Sequence, residues 1–188
     1  MSTYLEDNYI ESVKKQFLYY KKLGEQAIDQ LNPEQLFEAF NEDSNSISTV
    51  VKHLSGNMLS RWTDFLTTDG EKPWRDRDSE FMDTFKDKSE LMSKWNEGWN
   101  CLLKAFDTLK PADLSSVIYI RNEGHTVLEA INRQLAHYSY HVGQIVYAAK
   151  ILKKGDWKSL SIPKNKSGDY NVNKFSKEKQ RKHFTEEE

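Results

Sequence analysis

The chain has 188 residues, with 27 Lys and Arg against 29 Asp and Glu and a formal net charge of −2 at pH 7. That length suits a single hydrophobic core, and the near balance of charge removes the global basic field expected of a nucleic-acid-binding protein. The lone cysteine, Cys101, excludes an intramolecular disulfide and a Cys-rich zinc cluster, which favours a reducing compartment. The opening "MSTYLEDNYIESV" lacks the basic-then-apolar pattern of a secretory signal, and no apolar run approaches the roughly 20 residues that span a bilayer. The expectation is a cytoplasmic protein with no membrane partner and no specific nucleic-acid partner.

Four segments carry helical periodicity. The first has Ile10, Val13, Phe17, Tyr20, Gly24, Ala27 and Leu31 three and four apart, and Asn32-Pro33 is read as its end. The second opens at Ser46, a plausible N-cap, and its seam runs through Ile47, Val50 or Val51, Leu54, Met58, Trp62 and Phe65, with Asp69-Gly70 as the stop. Between it and the third helix lies "GEKPWRDRDSEFMDTFKDK", long, charged and punctuated by Pro73, which reads as a crossover. The third helix shows Leu91, Trp95, Trp99, Leu102, Phe106 and Leu109 and stops at Pro111. The β-branched "SSVIYIRNEGH" then predicts an extended segment. The fourth helix begins with the capping-box spelling Thr126 to Glu129, follows Leu128, Ile131, Leu135, Tyr138, Val142, Ile145, Ala149 and Leu152, and ends at Gly155.

Without convincing paired strands, these seams predict an all-α fold, a four-helix bundle with a long crossover between helices 2 and 3. Residues 1–163 form the expected domain. Residues 164–188, rich in Lys, Ser and Asn, are expected to be a flexible polar tail, and the basic stretch "KFSKEKQRK" within it reads as solvated.

His137 and His141, in "LAHYSYHVGQIV", stand at i and i+4 and therefore share one face of the fourth helix. On the second helix the same projection puts His53, Asn57, Ser60 and Asp64 on one flank. If the two edges face each other, three imidazoles converge in a cleft between helices. Such histidines are either hydrogen-bonded packing residues or ligands of one ion, and spacing alone leaves both open. A di-iron site requires Glu-x-x-His, whereas Gln134 precedes His137 and Tyr138 precedes His141; a zincin requires His-Glu-x-x-His, whereas Tyr138 follows His137. A mononuclear three-histidine site survives.

The strings "ISTVVKHLSGNM" and "INRQLAHYSYHVGQIVY", in that order along the chain, resemble the DinB/YfiT-like superfamily. The nearer likeness is to an uncharacterised branch with strings similar to "SRWTDFLTTDGEKPWRDRDSEF" and "WKSLSIPK". The resemblance covers about residues 1 to 163 and implies that His53, His137 and His141 bind a divalent metal. It further implies a thiol S-transferase of the bacillithiol or glutathione type acting on a small-molecule substrate, with the metal activating the thiol. The alternatives are a hydrolase using metal-bound hydroxide and a non-catalytic, metal-stapled bundle or dimerisation protein. Zinc, nickel or a similar ion suits three histidines.

Further candidates carry smaller expectations. Asn57 and Gln134 could orient an imidazole or a bound water, or only satisfy one another. Arg61, Arg75 and Arg77 could hold a substrate carboxylate, or pair ordinarily with Asp64, Asp76, Asp78 or Glu80. Trp62, Trp95 and Trp99 read as core, Cys101 as a small buried side chain, and His125 and His183 as lacking partners at ligand spacing. Leu59, Leu66 and Tyr147 lie off the seams and, with the superfamily likeness, suggest a homodimer.

Overall fold

The computed structural model describes residues 3–186, most of them helical. Four long helices carry the fold: α1 (Thr3–Ile28), α3 (Ile47–Trp62), α4 (Lys88–Thr108) and α5 (Val127–Lys153), with two short ones, α2 (Pro33–Leu36) and α6 (Ser167–Phe175). Each long helix packs on two others: α1 on α4 and α5, α3 on α4 and α5. Phe17 shows how the seams meet. Fully buried on α1, its ring lies 6.4 Å from that of Trp62 on α3, 6.5 and 5.4 Å from Trp99 and Phe106 on α4, and 5.8 Å from Tyr138 on α5. Trp62, Trp95 and Trp99 are all buried in this core. Where α3 and α4 approach, residue 98 must be glycine, because a Cβ there would stand 2.8 Å from the Ser55 Cα.

Local chemistry sets the helix starts. Ser46 Oγ accepts from the Thr49 N–H (3.2 Å), Asp87 Oδ1 from the Glu90 N–H (2.9 Å) and Thr126 Oγ1 from the Glu129 N–H (3.2 Å). Glu129 Oε2 in turn accepts from the Thr126 N–H at 2.8 Å, completing the capping box.

Three boundaries differ from the sequence reading. Pro33 does more than follow α1: it opens α2, capped by Asn32, because proline lacks only a donor that the first helical turn leaves unused. Helix α3 stops at Trp62 rather than Asp69-Gly70, and Asp64 adopts a left-handed backbone (φ 47°). The extended segment does not run straight but folds back on itself as an antiparallel hairpin, β1 (Val117–Ile120) and β2 (Glu123–Thr126), so the fold is mostly helical but not purely so. Ile118 and Ile120 face inward while Val117 and Tyr119 face outward. The hairpin turns through Arg121 and Asn122, both left-handed (φ 56° and 62°). Asp69 holds that turn from outside, accepting the Arg121 N–H (2.8 Å) and the Asn122 N–H (2.9 Å), and Gly70 donates to Tyr119 O (2.8 Å). The Asp69-Gly70 pair thus anchors the hairpin instead of closing a helix.

Beyond α5, α6 is exposed apart from the half-buried Tyr170. The chain then returns alongside α1, where Arg181 donates to Tyr4 and Asn8, His183 Nε2 lies 3.0 Å from Ser12 Oγ, and Glu186 pairs with Lys15. Among the described residues no helix is long and apolar enough to cross a membrane.

Candidate metal centre

His53, in the middle of α3, points toward α5, where His137 and His141 stand one turn apart. His53 Nε2 is 3.4 Å from His137 Nε2, and His141 Nε2 is 3.1 Å from the same atom. The cluster offers one nitrogen from each residue, all within 4.8 Å of one another. His53 is buried, and the two α5 histidines are half-buried.

The outer nitrogens decide what these inner ones can be. His53 Nδ1 lies 2.9 Å from Glu80 Oε2, and an ionised carboxylate only accepts, so Nδ1 carries the proton and Nε2 presents a lone pair. His141 Nδ1 lies 2.7 Å from Gln144 Oε1, which likewise places its proton outward. His137 Nε2 faces both lone pairs. A neutral His137 can donate to one of them at most, so at least one lone pair confronts the cluster uncompensated. An extra proton does not relieve this: burial first, then the neighbouring His141 and His53, push the His137 pKa down to about 3. Burial also lowers His141, against the Gln144 hydrogen bond, which raises it, with His53 lowering it further. Three imidazoles whose inner nitrogens converge form a donor set that fits a divalent cation and leaves room in its coordination shell for an exogenous ligand.

Behind His53 stands a residue that the sequence reading treated only as a counter-charge. Glu80 belongs to a short 3₁₀ turn (Asp78–Phe81) in the crossover between α3 and α4 and is buried. Its Oε1 accepts from Arg75 Nε (2.7 Å), and its Oε2 from Arg75 Nη2 (3.0 Å) and His53 Nδ1. Burial alone would raise the Glu80 pKa, but the bonds from His53 and Arg75 outweigh it and hold the carboxyl below its ordinary range. Phe81 stacks on the His53 ring (centroids 5.0 Å), with the Arg77 guanidinium 5.1 Å from the Phe81 ring on the exposed side. Lys52, beside His53, pins the crossover by donating to Ser79 O (2.6 Å), Met82 O (3.0 Å) and Thr84 Oγ1 (2.8 Å). No helical periodicity marks Glu80, and it reaches His53 across 27 residues of chain. Its only sequence signal is Arg75 five positions before it.

Most of the remaining candidates serve contacts outside this centre. Asn57 Oδ1 accepts from the Tyr138 hydroxyl (3.1 Å), which itself accepts from Trp62 Nε1 (3.0 Å), so Asn57 serves the core beside the site rather than an imidazole. Gln134 is buried, with its Oε1 unpartnered. Arg61 is buried, donates to Gly70 O and lies 3.4 Å from Glu71 Oε2. Arg75 is committed to Glu80, while Arg77 is exposed. Cys101 is half-buried, 3.5 Å from Thr63 Oγ1. His125 Nε2 lies 3.3 Å from Arg133 Nη1, well apart from the cluster along the chain.

The family model described as "Protein of unknown function (DUF1572)" matches residues 5–166. No curated protein and no solved structure matches the chain. With nearly its whole helical body covered by that match, the chain belongs to the DUF1572 family.

Proposed function

We propose that the chain is a four-helix-bundle metalloenzyme of the DinB/YfiT-like type, holding one divalent cation through His53, His137 and His141 and catalysing thiol S-transfer onto a small electrophile. The observation that carries this reading is the tautomer conflict at His137 Nε2, which faces two outward-protonated imidazoles at 3.4 and 3.1 Å. When bound there, a divalent ion supplies Lewis acidity that deprotonates a ligated thiol near neutral pH. The protein's own groups do the rest. His53 and His141 keep their protons turned away through Glu80 and Gln144. The aromatic faces of Phe81 and Tyr140 flank the histidines, with the Tyr140 ring 5.0 Å from that of His141. Of the three candidate arginines, Arg77 is exposed and would be the one to meet a substrate or thiol carboxylate, since Arg61 and Arg75 serve Glu71 and Glu80.

Glu80 supplies no general base to either thiol transfer or hydrolysis. Both of its oxygens are engaged, so this carboxylate is not free to act as a general base on water. A metal-bound thiol and a metal-bound hydroxide would each be a nucleophile without such a base, so the thiol reading rests on the DinB/YfiT-like resemblance and the titration below separates the two. A cytoplasmic setting suits both the co-substrate and the unpaired Cys101. Residues 1–163 form the catalytic body and 164–188 an accessory tail. The exposed stripe Tyr140, Tyr147 and Ile151 on α5 supports a homodimer.

The test is optical titration of the cobalt-loaded protein with bacillithiol and with glutathione. A thiolate charge-transfer band that appears with either thiol is the expected result. Cobalt that binds at the three histidines yet shows no response to thiol would overturn the transferase reading in favour of hydrolysis or a structural staple. A staple would raise the melting temperature strongly and accept no exchangeable ligand.

A further inference from the structure

We propose that Glu80, carried by the crossover and admitted by the missing side chain of Gly56, is the positioning residue that fixes His53 for metal binding. The inference rests on the metal-site reading above and concerns a second part of the chain that the three histidines do not announce. A neutral imidazole can place its single proton on either nitrogen. If His53 carried it on Nε2, that atom would present an N–H to the cluster and could bind no cation. The carboxylate 2.9 Å from Nδ1 removes that choice. The Arg75 fork then fixes the carboxylate itself through two further bonds, at 2.7 and 3.0 Å. Because Arg75 and Glu80 neutralise each other, the pair gives the site orientation and tautomer rather than net charge.

Gly56 explains how the crossover reaches so close. It follows His53 by three positions and so lies on the same face of α3. A Cβ at residue 56 would stand 2.3 Å from Glu80 Oε1 and 2.8 Å from its Cδ. The carboxylate therefore occupies the volume that any other residue would fill. A glycine inside a helix otherwise weakens it. Its place beneath Glu80 gives this one a reason. His53-x-x-Gly56 on the helix and Arg75 with Glu80 in the crossover thus form one composite unit, with Lys52 clamping the turn that carries Glu80.

The experiment compares wild type, Gly56→Ala, Glu80→Gln and Glu80→Ala in the full chain. Zinc affinity is read by chelator competition, and the His53 Nδ1–H resonance in zinc-free, ¹⁵N-labelled protein. Gly56→Ala, which would strengthen an ordinary helix interior, is expected to lower zinc affinity about 10- to 100-fold, the range for loss of a partner behind a ligand. It should also abolish the slowly exchanging Nδ1–H signal, as should Glu80→Ala. Glu80→Gln keeps an acceptor of the same shape and is expected to show a loss of several-fold. It carries the test if Gly56→Ala does not fold. Wild-type affinity and an intact Nδ1–H signal in these variants, even with a lowered melting temperature, would overturn this inference while leaving the metal site standing. Failure of the wild type itself to bind zinc would overturn both.

Discussion

The two helices that meet at the histidines hold their rings in different ways. His53 is held by tertiary structure: Glu80 grips it from behind, Phe81 stacks on its face, and Lys52 ties the crossover to α3. His137 and His141 depend on α5 itself, with the half-buried His141 bonded to the exposed Gln144 one turn further along. One side of the centre is a buried clamp and the other is an open, locally built edge with Tyr140 at its rim. A ligand of the proposed centre would therefore approach from the α5 side and meet a geometry set by the α3 side. Mutations on the two sides should separate stability from binding.

The largest contrast is in stability. Glu80→Ala removes one partner of a buried ion pair and strands Arg75, whose side chain is 2% exposed, so it should cost roughly 3–5 kcal/mol by the rule for such broken pairs. Glu71, 3.6 Å from Arg75, would offset part of that loss. Urea denaturation of zinc-free protein measures it, and a change below about 1 kcal/mol, the value of an exposed pair, would show that the clamp is not structural. Gln144→Ala, on the open side, should change stability by no more than about 0.5 kcal/mol.

Acid should probe the same asymmetry. In the unfolded chain His137 takes up a proton near its ordinary value of 6.5, whereas in the folded chain it does so only near 3, with burial as the main cause. Above 6.5 both states are neutral at this group. Between 6.5 and 3 the unfolded chain binds the proton and the folded chain does not, so stability falls as pH falls across that window and levels off below it. His137→Phe should flatten that part of the stability–pH curve of zinc-free protein. An unchanged slope would show that His137 does not stay neutral in the fold.

The smallest effect belongs to Gln144. Its replacement by Ala frees the His141 tautomer without disturbing packing, and zinc affinity should drop about 10-fold, the low end for an outer partner. A loss larger than that of Glu80→Ala would reverse the assignment of the clamped and open sides.

What the sequence made legible follows the same division. The four long seams, the caps at Ser46 and Thr126 and the shared face of His137 and His141 rest on residues within about one or two turns of each other, so periodicity and capping chemistry reveal them. The meeting of those two rings with His53 required only that two histidine-bearing edges face each other, as they do. The hairpin was missed because its turn, Arg121-Asn122, lacks the usual glycine and is held open by Asp69 from a distant segment. Glu80 was passed over as one acidic residue among several in a charged crossover. Its role depends on a tertiary contact and on the absence of a side chain at Gly56, and neither has a local signature.

The metal centre requires that His53, His137 and His141 together hold one divalent ion. Elemental analysis of untagged protein, wild type beside His137→Ala, prepared under metal-replete conditions, tests it most directly. Near-stoichiometric divalent metal in the wild type and its loss in the variant is the predicted result. Metal-free wild type, or equal metal in both proteins, would return the three histidines to packing.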